Sequence, residues 1–401
     1  MIGLEQIKEI ARPTPSRIVL LVIDGLGGLP HPETGKTEME SAKTPNLDRL
    51  ASEGICGMID PIGPGITPGS APGHLALFGY DPLKFTVGRG VLEALGIDFE
   101  LKAGDIAARG NFCTIDESGV ITDRRAGRLS TQICSELCRL LDGMNIDGVA
   151  IFVSPVREHR FVAVFRGEGL LSALHDSDPQ QEGLPPRDVV AHSPQAERAA
   201  SIANKFISQA RATLAGRHPA NMVMLRGFAH HPDLPKMSEV FSLKPAAIAH
   251  YPMYRGLAKL VGMEVLPTGA TIEEEIFTLA EHYDAYDFFF LHVKEADSAG
   301  EDGDFTRKVG VIDKVDMALP RLLHLAPEVI MVTADHSTPA VLKGHSWHPV
   351  PFLLHSKWCR PDGVLEFSER ACISGALGRF AATDVMSLAL ANALKLKKFG
   401  A

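Results

Sequence analysis

The chain has 401 residues, 45% of them hydrophobic, and a net charge of −9 with a pI near 6.0. That length points to two or three domains with sizeable cores. The acidic balance argues against a nucleic-acid partner held by counterion release, although a local arginine cluster can still receive an anionic substrate. No apolar stretch approaches the ~20 residues of a membrane span, so no membrane partner is expected, and no signal peptide opens the chain. The six cysteines (Cys56, Cys113, Cys134, Cys138, Cys359 and Cys372) are scattered without a CxxC pair. The expected compartment is a reduced cytoplasm.

In chain order, residues 17–23 form an almost unbroken apolar run, and Asp24 follows it. Thr44 and Pro45 predict a helix start, as N-cap and first helical residue, with Gly54 as the stop. Residues 61–73 (PIGPGITPGSAPG) are too rich in Pro and Gly for helix or strand and predict a structured loop carrying Ser70. The middle of the chain concentrates arginine: Arg109, Arg124, Arg125, Arg128, Arg157, Arg160 and Arg166. Cys134 and Cys138, one helical turn apart, read as small residues on one helix face rather than a metal pair. Pro-rich breaks fall at 176–188 and 231–235. Residues 287–293 (DFFFLHV) precede Asp297, and residues 329–333 (VIMVT) precede Asp335 and His336. Strands and helices are expected to alternate, the signature of an α/β architecture.

Apolar runs of this length suit strands buried on both faces of a parallel sheet, where ligands sit beyond the carboxyl ends. Three acids and a histidine gathered on one such edge need a cation to neutralise them. Asp24, Ser70, Asp335 and His336 make one group able to hold a divalent ion, which would lower the pKa of the serine hydroxyl and make it a nucleophile. Asp297 and His345, with Glu301 one helical turn past Asp297, make a second. Two ions ~3.5–4 Å apart clamp the attacking and leaving oxygens of a phosphoryl transfer. Taken singly, each residue has a plainer reading: a turn-forming Asp, a loop Ser, a surface His. Their joint placement after strand-like runs carries the weight.

Several segments together resemble one family: VIDGLGGLP (22–30), AKTPNLDRLASEG (42–54), GPGITPGS (63–70), HLALFGYDP (74–82), GRGVLEALGI (88–97), DRRAGR (123–128), YPMYRGLAKLVGM (251–263), TADHSTPAVLKGHS (333–346) and PVPFLL (349–354). The chain is similar over nearly its whole length to cofactor-independent phosphoglycerate mutase of the archaeal type, within the alkaline phosphatase superfamily. The resemblance implies a mostly parallel, alkaline-phosphatase-like sheet flanked by helices, with a second α/β substrate-binding domain inserted. The metal-binding domain is placed at residues 1–80 and 241–401 and the insert at 81–240. The resemblance also implies metal ligation by Asp24, Ser70, Asp297, Asp335, His336 and His345, with Ser70 becoming phosphorylated. Two divalent ions are expected, Mn²⁺ or Mg²⁺ before Zn²⁺ or Co²⁺, and no bisphosphoglycerate.

Three places depart from the family pattern. Glu301 stands where a metal-binding histidine is usual, leaving it either an oxygen ligand that favours harder ions or a solvated residue. The serine loop reads SAPGH where SDTAH is common, and His348 replaces the usual Asp or Asn, with a structural role expected. For the substrate, a small phosphorylated three-carbon acid, arginine offers paired hydrogen bonds to both phosphate and carboxylate. The resemblance favours Arg124 and Arg128, with Asp123 nearby; Arg109, Arg160, Arg226 and Arg255 are further candidates. Arg124 and Arg128 share a face if their segment is helical, and Gly127 makes a loop equally acceptable. The expected function is interconversion of 2- and 3-phosphoglycerate through phosphoserine. The alternatives are another phosphoryl-transfer enzyme, such as a phosphatase or a homoserine kinase, and a binding protein with a weakened metal site. The sequence does not specify an oligomeric state.

Overall fold

The computed structural model describes residues 2–400 and divides into two compact units, Met1–Thr86 with Leu234–Ala401, and Val87–Asp233. The first unit is built on an eight-stranded sheet. At its centre, Ile18–Ile23 runs parallel to Phe288–Val293 on one side and Val329–Thr333 on the other. All three strands are buried along their whole length, as expected where helices cover both faces of a parallel sheet. Ile23 lies level with Val293 and Val22 with Thr333. Asp24, Lys294 and Ala334 therefore leave the sheet together at one carboxyl edge. Pro245–Ile248 and Glu264–Val265 extend the parallel half. Val350–Ser356 turns the other flank antiparallel.

The helix Pro45–Glu53 begins after Thr44 and ends at Gly54. The Thr44 side chain does not cap it. Asp316, on the helix Phe305–Leu323, instead accepts from the Asn46 and Leu47 amides at 3.0 and 2.7 Å, so the cap comes from a distant part of the chain.

The loop expected through Gly73 is shorter than predicted, because a helix starts at Ser70 and runs to Leu77. Pro72 is tolerated there because the first helical turn has no partner for its missing N–H. Gly73 has a steric reason. A Cβ on it would lie 2.3 Å from the Asp335 carbonyl oxygen, so only glycine lets this helix abut the strand end that carries Asp335.

The second unit holds a six-stranded sheet in which every pairing is antiparallel. The expected alternation of strands and helices fails here. Val149–Arg157 returns directly as Arg160–Arg166 through a tight hairpin, so no crossover helix is needed. The helix Thr131–Leu141 carries Cys134 and Cys138 on its buried face, with sulfurs 4.0 Å apart. The DRRAGR segment is a turn rather than a helix, with Gly127 at φ +67°, so Arg124 and Arg128 share no helix face. Among the described residues, no helix is long and apolar enough to cross a membrane.

One buried acid gives the first unit a pH-dependent stability. Glu275, on the helix Ile272–His282, is 1% exposed. Burial pushes its carboxyl up to about 7 despite the nearby His250, 3.5 Å away. A carboxyl raised on folding favours the folded state fully below its unfolded value and loses that contribution as pH rises through 7. Thermal melts between pH 4.5 and 8 should show a loss of roughly 3 kcal/mol from this group. Glu275→Gln, which cannot ionise, should flatten the profile; identical profiles would refute the assignment.

Candidate metal centre

The carboxyl edge of the central strands gathers two groups of metal-ligating side chains: Asp24, Asp335 and His336, and Asp297, His336 and His345, each with ligand atoms within 4.8 Å of one another. Ser70 joins the first group from the N-terminus of its helix, with Oγ 3.1 Å from His336 Nε2. His336 Nε2 also lies 3.0 Å from Asp335 Oδ2 and 3.4 Å from Asp24 Oδ1. His345 Nε2 lies 3.5 Å from Asp297 Oδ1 and 3.8 Å from Glu301 Oε1. Glu301 is more than half exposed and stands outside both three-residue groups.

The two imidazoles are oriented alike. His345 Nδ1 donates to the Pro68 carbonyl at 2.9 Å. His336 Nδ1 lies 2.9 Å from Thr338 Oγ1, whose own proton goes to Asp297 Oδ1 at 2.7 Å. Each ring therefore presents Nε2 to the carboxylates while Nδ1–H is tied behind, the arrangement of a metal-binding histidine held by its outer partner. Because Nδ1 of His336 is engaged, this ring serves the Asp24–Asp335 side, leaving Asp297 and His345 to the other.

The electrostatics point the same way. Asp24, Asp297 and Asp335 are all buried. Burial and Asp335 push Asp24 up, but Lys294, His292 and His336 outweigh them and hold it at about 2. Burial also opposes ionisation of Asp335, yet His336 and His74 keep it well below the usual carboxylate range. His336 in turn is pushed up to about 9 by Asp335, Asp24 and Asp297 against its burial. Asp24 Oδ1 is buried and accepts no hydrogen bond among the described residues, and such an orphaned carboxylate oxygen is costly unless a cation takes it. The donor set and this orphaned oxygen fit a divalent ion.

Several site residues escaped the sequence reading. His74, four residues past Ser70 on the same helix, donates to the Ser70 carbonyl at 2.8 Å and reaches Asp335 Oδ2 at 3.1 Å. Lys294 bridges Asp24 and Asp297. Tyr254 and His292 donate to Asp24 Oδ2, and Thr338 orders His336. Lys294 and His74 had a signal, namely position straight after a strand and one turn past the serine. Tyr254 had none.

In the second unit, Arg109 faces Arg226 across one strand pair, and Asn111 faces Arg160 across the next. Arg109 is 7% exposed. Burial lowers it to about 9, and Arg160, Arg226 and Arg89 add to this against Glu93 at 3.6 Å. Burial and Arg89 also lower Arg226, despite Asp178 at 3.7 Å. Arg124 grips Asp178 through two bonds of 3.2 and 2.7 Å. The buried Arg109 and the half-buried Arg124, Arg160 and Arg226 outnumber the acids Glu93 and Asp178, and such an excess of guanidinium groups can receive an anion. Asp123 is turned inward on its own loop, accepting from the Arg125 and Gly127 amides at 2.7 and 2.6 Å. Arg128 is exposed at φ +51°. Arg255 belongs to the first unit, beside Tyr254 on the helix Pro252–Leu260. His348 bonds Ser346 at 3.0 Å and belongs to neither metal-ligating group.

Comparison with known proteins gives a consistent set of matches. Residues 51–221 match a family described as 2,3-bisphosphoglycerate-independent phosphoglycerate mutase. A probable 2,3-bisphosphoglycerate-independent phosphoglycerate mutase of Thermosipho africanus is 50% identical over 397 residues, covering 98% of both chains. A protein of the same description from Thermus thermophilus is 48% identical over 400 residues, again with 98% of both covered. Among solved structures, a cofactor-independent phosphoglycerate mutase from Thermoplasma acidophilum is 32% identical with a TM-score of 0.71, covering 94% of this chain and 100% of that one. A protein from Pyrococcus horikoshii is 28% identical with a TM-score of 0.84, covering 97% and 100%.

Proposed function

Because the chain belongs to the 2,3-bisphosphoglycerate-independent phosphoglycerate mutases, we propose that it interconverts 2- and 3-phosphoglycerate with Ser70 as the transient phosphate acceptor. The observation that carries this reading is the Ser70 hydroxyl set 3.1 Å from His336 Nε2, beside Asp24 and Asp335. Asp24, Asp335, His336 and Ser70 would hold one divalent ion, and Asp297 and His345 a second, with Glu301 as an outer oxygen donor. Mn²⁺ or Mg²⁺ suits this oxygen-rich set, and Zn²⁺ or Co²⁺ is accommodated by the histidines. Bound there, such ions supply a lowered serine pKa and charge neutralisation for the phosphoryl group.

The protein's own groups then have defined tasks. Ser70 Oγ attacks phosphorus, and the bond to the C2 or C3 oxygen of the substrate breaks. The serine proton is balanced by protonation of the departing alkoxide, which leaves glycerate. Its other hydroxyl attacks the phosphoserine, returns the phosphate and regenerates the serine. Ser70 opens its helix, so the positive end of the helix dipole favours the anions that form there. Lys294 adds a fixed cation between Asp24 and Asp297. The arginine-rich second unit is assigned the substrate's acid groups: Arg160 and Arg226 on the sheet, Arg124 and Arg128 on the DRRAGR turn, with Asp123 shaping that turn. Arg255 is assigned the same task from the first unit. Glycerate must be held until the second attack, or phosphate is lost to water.

The direct test is isomerisation of 3-phosphoglycerate with added Mn²⁺ and no bisphosphoglycerate, followed by phosphorus NMR. Appearance of the 2-isomer is expected. Free phosphate without isomer would instead identify a phosphatase, and ATP-dependent phosphorylation of homoserine a kinase.

A further inference from the structure

We propose that Tyr254 and His292 are positioning residues that commit one oxygen of Asp24 to the cation. This inference rests on the metal-centre reading above. The two oxygens of Asp24 are treated very differently. Oδ2 accepts from the Tyr254 hydroxyl, from His292 Nε2 at 3.1 Å and from Lys294 Nζ at 3.3 Å. Oδ1 is buried and accepts nothing from the described residues. A carboxylate whose second oxygen is saturated by three donors cannot swing or chelate through both oxygens. It offers Oδ1 alone, on the side where His336 Nε2 lies 3.4 Å away.

The rings are fixed as well as the bonds. Tyr254 and His292 stack at 3.6 Å with planes 27° apart, and His74 packs on both at 4.9 and 5.1 Å. Tyr254 and His292 are fully buried. A pure packing role is the competing explanation, and two observations weigh against it. First, Phe290 stands two residues before His292 on the same strand and packs on the same wall, 5.8 Å from the His292 ring. The wall therefore accepts phenylalanine. Second, among the described residues His292 Nδ1 has no partner. Donation to Asp24 puts the proton on Nε2 and leaves Nδ1 a bare buried acceptor, a cost that a phenylalanine would avoid. A residue that bears this cost while pointing its one N–H at a metal-type carboxylate fits a partner that orients the ligand from behind.

The test is Mn²⁺ binding by calorimetric titration of the metal-stripped full chain. Tyr254→Phe keeps the stacked ring and deletes only the hydroxyl, and the dissociation constant should rise about tenfold. His292→Leu should weaken binding similarly, whereas His292→Gln, which keeps an N–H donor, should recover most of it. Turnover of each weakened variant should return toward the parent value as Mn²⁺ is raised, a rescue that a general packing defect would not show. Unchanged Mn²⁺ affinity in Tyr254→Phe, or equal loss in His292→Leu and His292→Gln, would overturn the proposal. Should Tyr254→Phe fail to fold, the two His292 variants decide. Because the readout is ion binding, failure of the wild-type chain to isomerise phosphoglycerate would count against the mutase reading and leave this result standing.

Discussion

Ser70→Ala is expected to reduce isomerisation by about 10⁴-fold or more, the scale seen when a covalent nucleophile is removed. The substitution is structurally mild. Ser70 opens the helix Ser70–Leu77 with Gly69, not the serine, at the cap position, and alanine is a good helix former. The lost hydroxyl has His336 Nε2 as its hydrogen-bond partner. The variant should therefore melt close to the parent and still bind Mn²⁺, because Asp24, Asp335 and His336 remain. Mass spectrometry after mixing with substrate should find a phosphate on Ser70 in the parent and none in the variant. Turnover within tenfold of the parent would eliminate the phosphoserine route. It would require direct transfer between the two hydroxyls of glycerate, for which the placement of Ser70 offers no explanation.

How much of this site could be seen in the sequence depended on what each residue does. Asp24, Asp297 and Asp335 are visible because they follow apolar runs, and runs this short and continuous suit a central strand buried on both faces. Position relative to a strand end survives folding almost unchanged. The start of the serine helix was hidden because Pro and Gly around Ser70 read as loop, although Pro72 is harmless in a first turn and Gly73 answers a contact with Asp335 from 262 residues away in sequence. Long-range steric demands of that kind leave no local pattern. The antiparallel second unit was obscured for a related reason. Some of its strands are amphipathic or short, as in Val149–Arg157 and Met144–Ile146, and the long buried strand Ile106–Ile115 has its apolar run broken by Arg109, Asn111 and Thr114, so the signal is weaker than the continuous runs of the parallel sheet. Tyr254 and His292 were silent because a polar residue in a buried run is usually a satisfied core residue. Only the folded chain reveals that both donate to one oxygen of Asp24.

Removing the divalent ions, or the charge of Asp335, should have the second large effect. Asp335 is fully buried, with Oδ2 at 3.0 Å from His336 and 3.1 Å from His74 and Oδ1 accepting from the Gly25 amide at 3.3 Å. Asp335→Asn keeps the shape and removes the charge. The site then has two acids, Asp24 and Asp297, where the parent has three, while Lys294 and His336 remain. The attraction for a dication falls accordingly, since the coordinating oxygen becomes a neutral amide carbonyl. Turnover should drop at least about 10³-fold, and the variant without metal should also be less stable, because one member of a buried charged pair has been removed. The decisive comparison is the melting temperature of metal-stripped protein with and without Mn²⁺. An ion at a thousandfold excess over its dissociation constant stabilises the folded state by about 4 kcal/mol. The parent should be stabilised by at least that much, and Asp335→Asn clearly less, because only the Asp297 and His345 position keeps its full charge. Full turnover in the stripped parent, or an equal rise in both proteins, would show that the acids at this strand edge serve the fold rather than an ion.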